Sequence, residues 1–391
     1  MYKIKTYNKI SVKGLDRFDR SKYEVASDIN APDGYILRSH KLHDEVLPES
    51  VKAVARAGAG TNNVPVADYT KKGVVVFNAP GANANAVKEL VVAGMLLGSR
   101  GIIPGMNWAQ SLTEMSDAAE MSALMEKQKS NFAGSELTGK TLGVVGLGAI
   151  GSLIADIALA LGMNVVGYDP ALSIEAAWRL SSQVARAENL QSLLSRSDFI
   201  TLHVPAIEAT HHLINEDTLK SVKEGAVLLN FARESIVDAQ AVVQSLDAKQ
   251  LRMYICDFPE PVLLKRDDVY AMPHIGASTA EAEENCAIMG ADQLMDYLEN
   301  GNIKNSVNFP AVQMDRSGTG ARITFCNNNV SGVLGQVLSV LAASNVNVVD
   351  MMNKSRGDIA YNIIDVEAAP EADVQAAIEQ VEHVIRVRVI V

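Results

Sequence analysis

The 391-residue chain is 48% hydrophobic and 21% charged, with a net charge of −11. This supports substantial globular cores in two or three domains, and it excludes a nucleic-acid binder, since no basic domain or Lys/Arg run offsets the acidity. Cys256, Cys286 and Cys326 show neither paired nor metal spacing, and no apolar run reaches membrane-spanning length, so a reducing compartment and no membrane span are expected.

The opening residues lack the layout of a signal peptide, and a cytoplasmic protein is the expectation. Residues 1–95 alternate short apolar runs with helical patterns. Strands are predicted at 4–7, 35–37, 54–56 and 74–77, with a helix at 67–72. Such alternation predicts a small parallel-sheet domain. Residues 85–98 read as a nearly all-apolar helix, as expected of a buried helix joining two domains. Residues 106–130 form a polar, Met-rich helical stretch. An arm that packs on another subunit and a plain surface helix both fit it.

The sharpest signal follows. An apolar run at 142–145 leads into Gly146-Leu147-Gly148-Ala149-Ile150-Gly151, then a helical run at 152–161, then a strand at 163–168 ending in Asp169. Strand, glycine turn, helix, strand and acid is the layout of a dinucleotide-binding βαβ unit. Gly146 permits the tight turn, Gly148 lets the backbone approach a pyrophosphate, and Gly151 lets helix pack on strand. The helix N-terminus offers N–H groups to the phosphates. Asp169 is suited to a ribose 2′-hydroxyl and repels a 2′-phosphate, so NAD is expected rather than NADP. Since this unit begins near residue 140, another domain must fold ahead of it.

Further strands are predicted at 199–203, 226–230, 252–256 and 269–272, and an amphipathic helix at 279–299 stops at Asn300-Gly301. Ser317-Gly318-Thr319-Gly320 is a linker signal. Residues 321–391 then read βαββαβ, the pattern of a small ferredoxin-like domain. Its strands are predicted at 322–326, 346–352, 360–365 and 384–391, and its helices at 333–344 and 371–381. Three polar residues follow strand ends, where ligands bind in an open α/β sheet: Arg233, Glu260 and His274. Together they suit hydride chemistry on a 2-hydroxy acid. A forked guanidinium binds carboxylate and polarises the carbonyl. A histidine moves the hydroxyl proton, and a carboxylate orients it and favours its cation. His211-His212 has no partner ligands at metal spacing, so no metal is expected.

The chain resembles the D-isomer-specific 2-hydroxyacid dehydrogenases over nearly its whole length. The resemblance rests on 56–63 (RAGAGTNN), 78–81 (NAPG), 143–151, 201–205 (TLHVP), 230–233 (NFAR), 257–261 (DFPEP) and 273–276 (PHIG). Within that family it is similar to members that act on 3-phosphoglycerate. The resemblance implies an α/β protein in which a Rossmann-type NAD domain, 97–276, is inserted in a flavodoxin-like substrate domain, 1–96 and 277–312. It implies Arg233, Glu260 and His274 as the catalytic trio. For the cofactor it implies Gly146, Gly148, Ala149, Ile150, Gly151 and Asp169, with Thr201, His203, Val204, Pro205, Ala232, Asp257, His274 and Gly276 towards the nicotinamide. For a small anionic 2-hydroxy acid it implies Arg233, His274, a backbone cradle at Ala57, Gly58, Ala59 and Gly60, and the basic residues Arg38 and Lys129, the latter reaching from a partner subunit. His40 stands where some members carry a second arginine, and Glu234 where most carry glycine. Residues 319–391 resemble the ACT regulatory module, which pairs with a second copy and binds L-serine. Asn329 and Asn347 match serine-contacting positions, while Asn327 and Ser331 depart from the pattern. A homodimer or homotetramer is expected. Two rivals keep the fold: a reductase of D-lactate, glyoxylate or hydroxyphenylpyruvate, and a non-catalytic NAD-sensing corepressor. The ACT-like tail and Arg38 speak against the first, and the acidic chain against the second.

Overall fold

The computed structural model describes residues 1–316 and 320–391, apart from the side chain of Glu175. Ser317, Gly318 and Thr319 of the expected linker lie outside the described residues. The chain folds into two compact units, residues 1–83 with 280–391, and residues 84–279.

The first unit contains two sheets. Strands β1 (Tyr2–Thr6), β2 (Tyr23–Ala26), β3 (Gly34–Leu37), β4 (Ala53–Arg56) and β5 (Val75–Phe77) form a five-stranded parallel sheet in the order β2-β1-β3-β4-β5. This is the flavodoxin-like order. β3 is buried throughout, as a parallel strand covered on both faces must be. The helix Ala280–Asn300 lays Cys286, Ala287, Ala291, Leu294 and Leu298 into a core shared with Ile4, Ile36, Ala55 and Phe77. The short helix Val12–Leu15 packs against it through Gly14, where a Cβ would meet the Ala287 backbone at 2.6 Å.

The C-terminal residues belong to this same unit. In the second unit, described below, strands β6 to β12 intervene, so those of the tail are β13 (Ala321–Asn328), β14 (Val348–Arg356), β15 (Ile359–Val366) and β16 (Val384–Ile390). They form an antiparallel sheet in the order β14-β15-β13-β16. Side chains alternate between faces along each strand. Ile323, Phe325, Ile364 and Val387 face the helices Val333–Ala343 and Ala372–Glu379. Cys326, Tyr361 and Ile363 face the other way and join Tyr297, Leu298 and Phe309 in the substrate-domain core. Polar anchors line that junction. Arg322, fully buried, forms a bidentate pair with Asp365 at 2.6 and 2.9 Å. It also donates to the carbonyls of Asn300 and Met314 at 2.8 Å. Arg388 donates to the carbonyls of Tyr297 and Leu298, and Tyr361 to that of Gly301. Two cations thus cap the carbonyl end of the helix Ala280–Asn300, where the helix dipole favours positive charge.

The second unit is a seven-stranded parallel sheet. Its strands are β6 (Thr141–Val145), β7 (Asn164–Tyr168), β8 (Ala185–Arg186), β9 (Phe199–Leu202), β10 (Ala226–Asn230), β11 (Leu251–Cys256) and β12 (Val269–Ala271). The order β12-β11-β10-β9-β6-β7-β8 is the doubly wound Rossmann arrangement, with its switch point between β6 and β9. The apolar helix Ala84–Ser99 lies on this sheet. Its Gly94 and Gly98 would bring a Cβ within 3.0–3.1 Å of Leu229, Val227 and Ile255, so the absence of side chains sets the close approach. The helices Ile102–Gln110 and Ala118–Gln128 bury no residue within one chain.

Candidate active site

The three glycines of the turn after β6 occupy three different environments. Gly146 has φ +91°, and a Cβ there would meet the His203 carbonyl at 2.5 Å. At Gly151 a Cβ would collide with the Gly146 carbonyl oxygen. At Gly148 it would meet nothing within 4 Å. The first and third glycines are therefore packing requirements, and the second leaves an open face. The helix Ala149–Ala160 starts beside that face with no side chain capping its N-terminus. An uncapped helix start under an open glycine is a phosphate cradle. Asp169, at the end of β7, accepts the Leu147 N–H at 2.8 Å and the Ala171 N–H at 2.9 Å, which fixes the acid against the turn. These residues fit a dinucleotide.

β9 supports the turn from beneath. Thr201 is fully buried, and its hydroxyl bonds His203 Nε2 at 2.7 Å. The Thr201 side chain is thus held inside the turn's support. His203 donates its N–H to the Val145 carbonyl, while its Nδ1 is buried without a partner. Burial pushes its pKa from 6.5 down to about 3. Between those values the unfolded chain takes up a proton that the folded chain excludes, so stability falls as pH drops below 6.5 and is unaffected above it. Denaturant midpoints at about pH 7 and about pH 5 should show a loss of about 2 kcal/mol at this site in the wild type. The variant His203→Asn should lack that component, and equal losses in both proteins would disprove it.

The proposed catalytic residues come from the carboxyl ends of β10, β11 and β12. Asn230 closes the first turn: its amide donates to the Arg233 carbonyl at 2.9 Å and accepts the Ala232 N–H at 3.1 Å. Arg233 lies 5.5 Å over the ring of Phe258, and the His274 ring packs on Phe258 with centroids 4.5 Å apart. One aromatic side chain therefore touches both the guanidinium and the imidazole. His274 sits at φ +56°, a left-handed conformation held by its N–H to the Asp257 carbonyl at 3.0 Å. Asp257 is buried, and its carboxylate accepts the N–H groups of Ile275 and Gly276, each at 2.7 Å. Its side chain anchors the histidine loop. Glu260 and His274 are both exposed, and among the described residues no hydrogen bond or ion pair joins them. Glu234 is exposed on the turn Glu234–Ile236. Lys129, exposed on the turn Lys129–Phe132, pairs with Glu126.

Substrate-loop candidates gather at the ends of β3 and β4 in the first unit. Ala57 and Gly58 use their N–H groups on the Leu37 and Arg56 carbonyls. Those of Ala59 and Gly60 donate to nothing among the described residues. Arg38 pairs with Glu283 at 2.6 Å. His40 bonds Glu45 and stacks on Tyr7 with ring centroids 4.4 Å apart. In the tail, Asn329 bonds the Gly357 carbonyl at the β14–β15 turn, and Asn347 bonds Glu367 at the other end of the sheet.

Residues 105–276 match the family described as D-isomer specific 2-hydroxyacid dehydrogenase, NAD binding domain. The chain is 32% identical over 367 residues to D-3-phosphoglycerate dehydrogenase of Escherichia coli K12, covering 90% of this chain and 85% of that protein. The chain belongs to the D-isomer-specific 2-hydroxyacid dehydrogenases. The Methanocaldococcus jannaschii D-3-phosphoglycerate dehydrogenase is 34% identical over 76% of this chain, which spans 56% of that longer protein. Among solved structures, NAD+-bound 3-phosphoglycerate dehydrogenase of Entamoeba histolytica superposes with a TM-score of 0.61 at 26% identity, covering 78% of this chain and 98% of that one. D-2-hydroxyisocaproate dehydrogenase, 23% identical over 79% of this chain and 100% of that one, shares the fold with a TM-score of 0.63. In this 2-hydroxyacid dehydrogenase, Phe258 and Asn230 are the site residues that motif reading passes over. The aromatic inside 257–261 was the available signal for the first; Asn230 reads from sequence as a strand end.

Proposed function

We propose that the protein is an NAD-dependent dehydrogenase that oxidises D-3-phosphoglycerate to 3-phosphohydroxypyruvate, the opening step of phosphorylated serine synthesis. The observation that carries the chemistry is the packing of both Arg233 and His274 on Phe258, within the domain that holds the open Gly148 turn. NAD, when bound on that turn, supplies the hydride acceptor. Arg233 holds the substrate carboxylate and polarises the C2 oxygen. His274 takes the C2 hydroxyl proton as the C2 hydrogen leaves with its electron pair, so a secondary alcohol becomes a ketone. Glu260, two residues past Phe258, is the carboxylate proposed to steady the imidazolium. Ala59 and Gly60 bind carboxylate oxygens, and Arg38 binds phosphate after exchanging its Glu283 partner for the substrate.

The finer assignments rest on surface features. The helices Ile102–Gln110 and Ala118–Gln128 bury nothing in one chain and expose Met106, which supports an arm covered by a second copy. Lys129 then serves the partner's substrate. Asn329 and Asn347 stand at opposite ends of the tail sheet, so an L-serine site using both draws on two copies. No described helix is long and apolar enough to cross a membrane, and a cytoplasmic setting is proposed.

NAD reduction, followed by the NADH absorbance band, tests the substrate. D-3-phosphoglycerate should exceed D-lactate in kcat/KM by at least ~100-fold, since the unphosphorylated acid leaves Arg38 without a ligand. Equal rates, or a preference for D-lactate, would overturn the assignment. No reduction with any 2-hydroxy acid would favour a sensor.

A further inference from the structure

Polar side chains from three places in the first unit converge on the loop 38–42. Arg38 opens this loop directly after β3, with its guanidinium on Glu283. Asn8, just past β1, accepts the N–H groups of Ser39 at 3.1 Å and His40 at 2.7 Å on its Oδ1. It holds φ +64°, a left-handed conformation that asparagine tolerates better than most residues. Asn63 donates from its amide nitrogen to the Arg38 carbonyl at 3.2 Å and to the His40 carbonyl at 2.7 Å. Its own carbonyl accepts the Leu42 N–H at 2.9 Å. Arg56, at the end of β4, adds its Nε to the Arg38 carbonyl at 3.0 Å.

Two of these anchors belong to the segment 56–63, which also carries the backbone groups of 57–60. The Arg56 guanidinium lies against Gly58, where a Cβ would meet its Nη1 at 1.7 Å. Asn63 is 8% exposed, and its Oδ1 is buried without a partner. An unpaired buried acceptor costs stability, so a side chain that only filled space there would be better apolar. The atom in use is the amide nitrogen, and both groups it meets are carbonyls of the Arg38 loop. We propose that Asn8 and Asn63 are positioning residues. They hold Arg38 at a fixed separation from the segment 57–60 and so set selectivity for a 2-hydroxy acid with a distal phosphate. An arginine on a loose loop meets anions at many separations. One whose carbonyl and next two N–H groups are pinned matches one length of substrate. The clamp stands on the hydrogen bonds alone. The selectivity rests on reading Arg38 as the phosphate ligand and 57–60 as the carboxylate cradle.

Hydrogen exchange of the peptide 38–42 in the full chain, without NAD or substrate, tests the clamp. Asn8→Gly deletes the acceptor at an exposed position whose φ suits glycine, and should speed exchange at least ~10-fold. Asn8→Asp keeps the acceptor and tolerates the same φ, and should restore the wild-type rate. Unchanged exchange in Asn8→Gly, or fast exchange that persists in Asn8→Asp, overturns the clamp. Steady-state NAD reduction with D-3-phosphoglycerate and with D-glycerate, the same acid without its phosphate, tests the selectivity. Asn8→Gly and Asn63→Leu should each raise KM for the phosphorylated acid at least ~10-fold, with its kcat and the kcat/KM for D-glycerate held within ~2-fold. An equal loss on both acids reveals a general structural role and overturns the selectivity. A wild type indifferent to the phosphate sinks the substrate reading and the selectivity with it, while exchange still decides the clamp.

Discussion

His274→Ala should lower kcat by a factor of about 100–10,000 while NADH still binds, as read by steady-state rates and by quenching of protein fluorescence. The size follows from what the side chain does and what holds it. The loop is fixed by its backbone: the His274 N–H on the Asp257 carbonyl, and the Ile275 and Gly276 N–H groups on the Asp257 carboxylate. Removing the imidazole deletes the proposed proton acceptor without releasing that loop. Phe258 loses one neighbour and keeps Arg233. A variant with near-normal turnover would remove His274 from the reaction and leave the hydroxyl proton to another base.

The second large effect concerns stability. Asp365→Asn keeps the shape but leaves the Arg322 guanidinium, fully buried, without its carboxylate. Breaking one side of a buried ion pair costs about 3–5 kcal/mol, because the remaining charge stays desolvated. Urea denaturation should show that loss. Hydrogen exchange should quicken in β1 to β5 as well as in the tail strands, since both sheets share one core. A double variant, Arg322→Met with Asp365→Leu, should recover most of the loss, because a well-packed apolar pair avoids the desolvation cost. A cost below about 1 kcal/mol, or faster exchange confined to residues 321–391, would show that the tail is energetically separate.

Much of the nucleotide domain was legible in the sequence because its local chemistry is unambiguous. The spacing of Gly146, Gly148 and Gly151 forecast two close approaches and one open position, and the turn has that arrangement. Asp169 followed from the length of one βαβ unit. Other features depend on distant parts of the chain. β2, a four-residue edge strand with buried Tyr23 and exposed Glu24 and Ala26, gives a weak apolar signal. β8 has two residues and gives none. Sheet order comes from pairings that periodicity does not encode. Family position did not reveal that the Asp257 and Thr201 side chains are buried and already bonded within the protein. The junction of the tail with the first unit was hidden for a related reason. Arginine ordinarily marks surface, yet Arg322 and Arg388 are buried as caps on a helix end. β15 held the clue, since Ile359–Val366 is buried at every position, as a strand covered on both faces must be.

The helix Ala280–Asn300 begins four residues after Gly276 of the histidine loop, and its final carbonyls are gripped by Arg322 and Arg388. The C-terminal sheet is therefore welded directly onto a beam of the substrate-side fold. Amputating residues 321–391 would strip Tyr297 and Phe309 of their cover and bare the beam's negative pole. In this protein the appendage is also foundation.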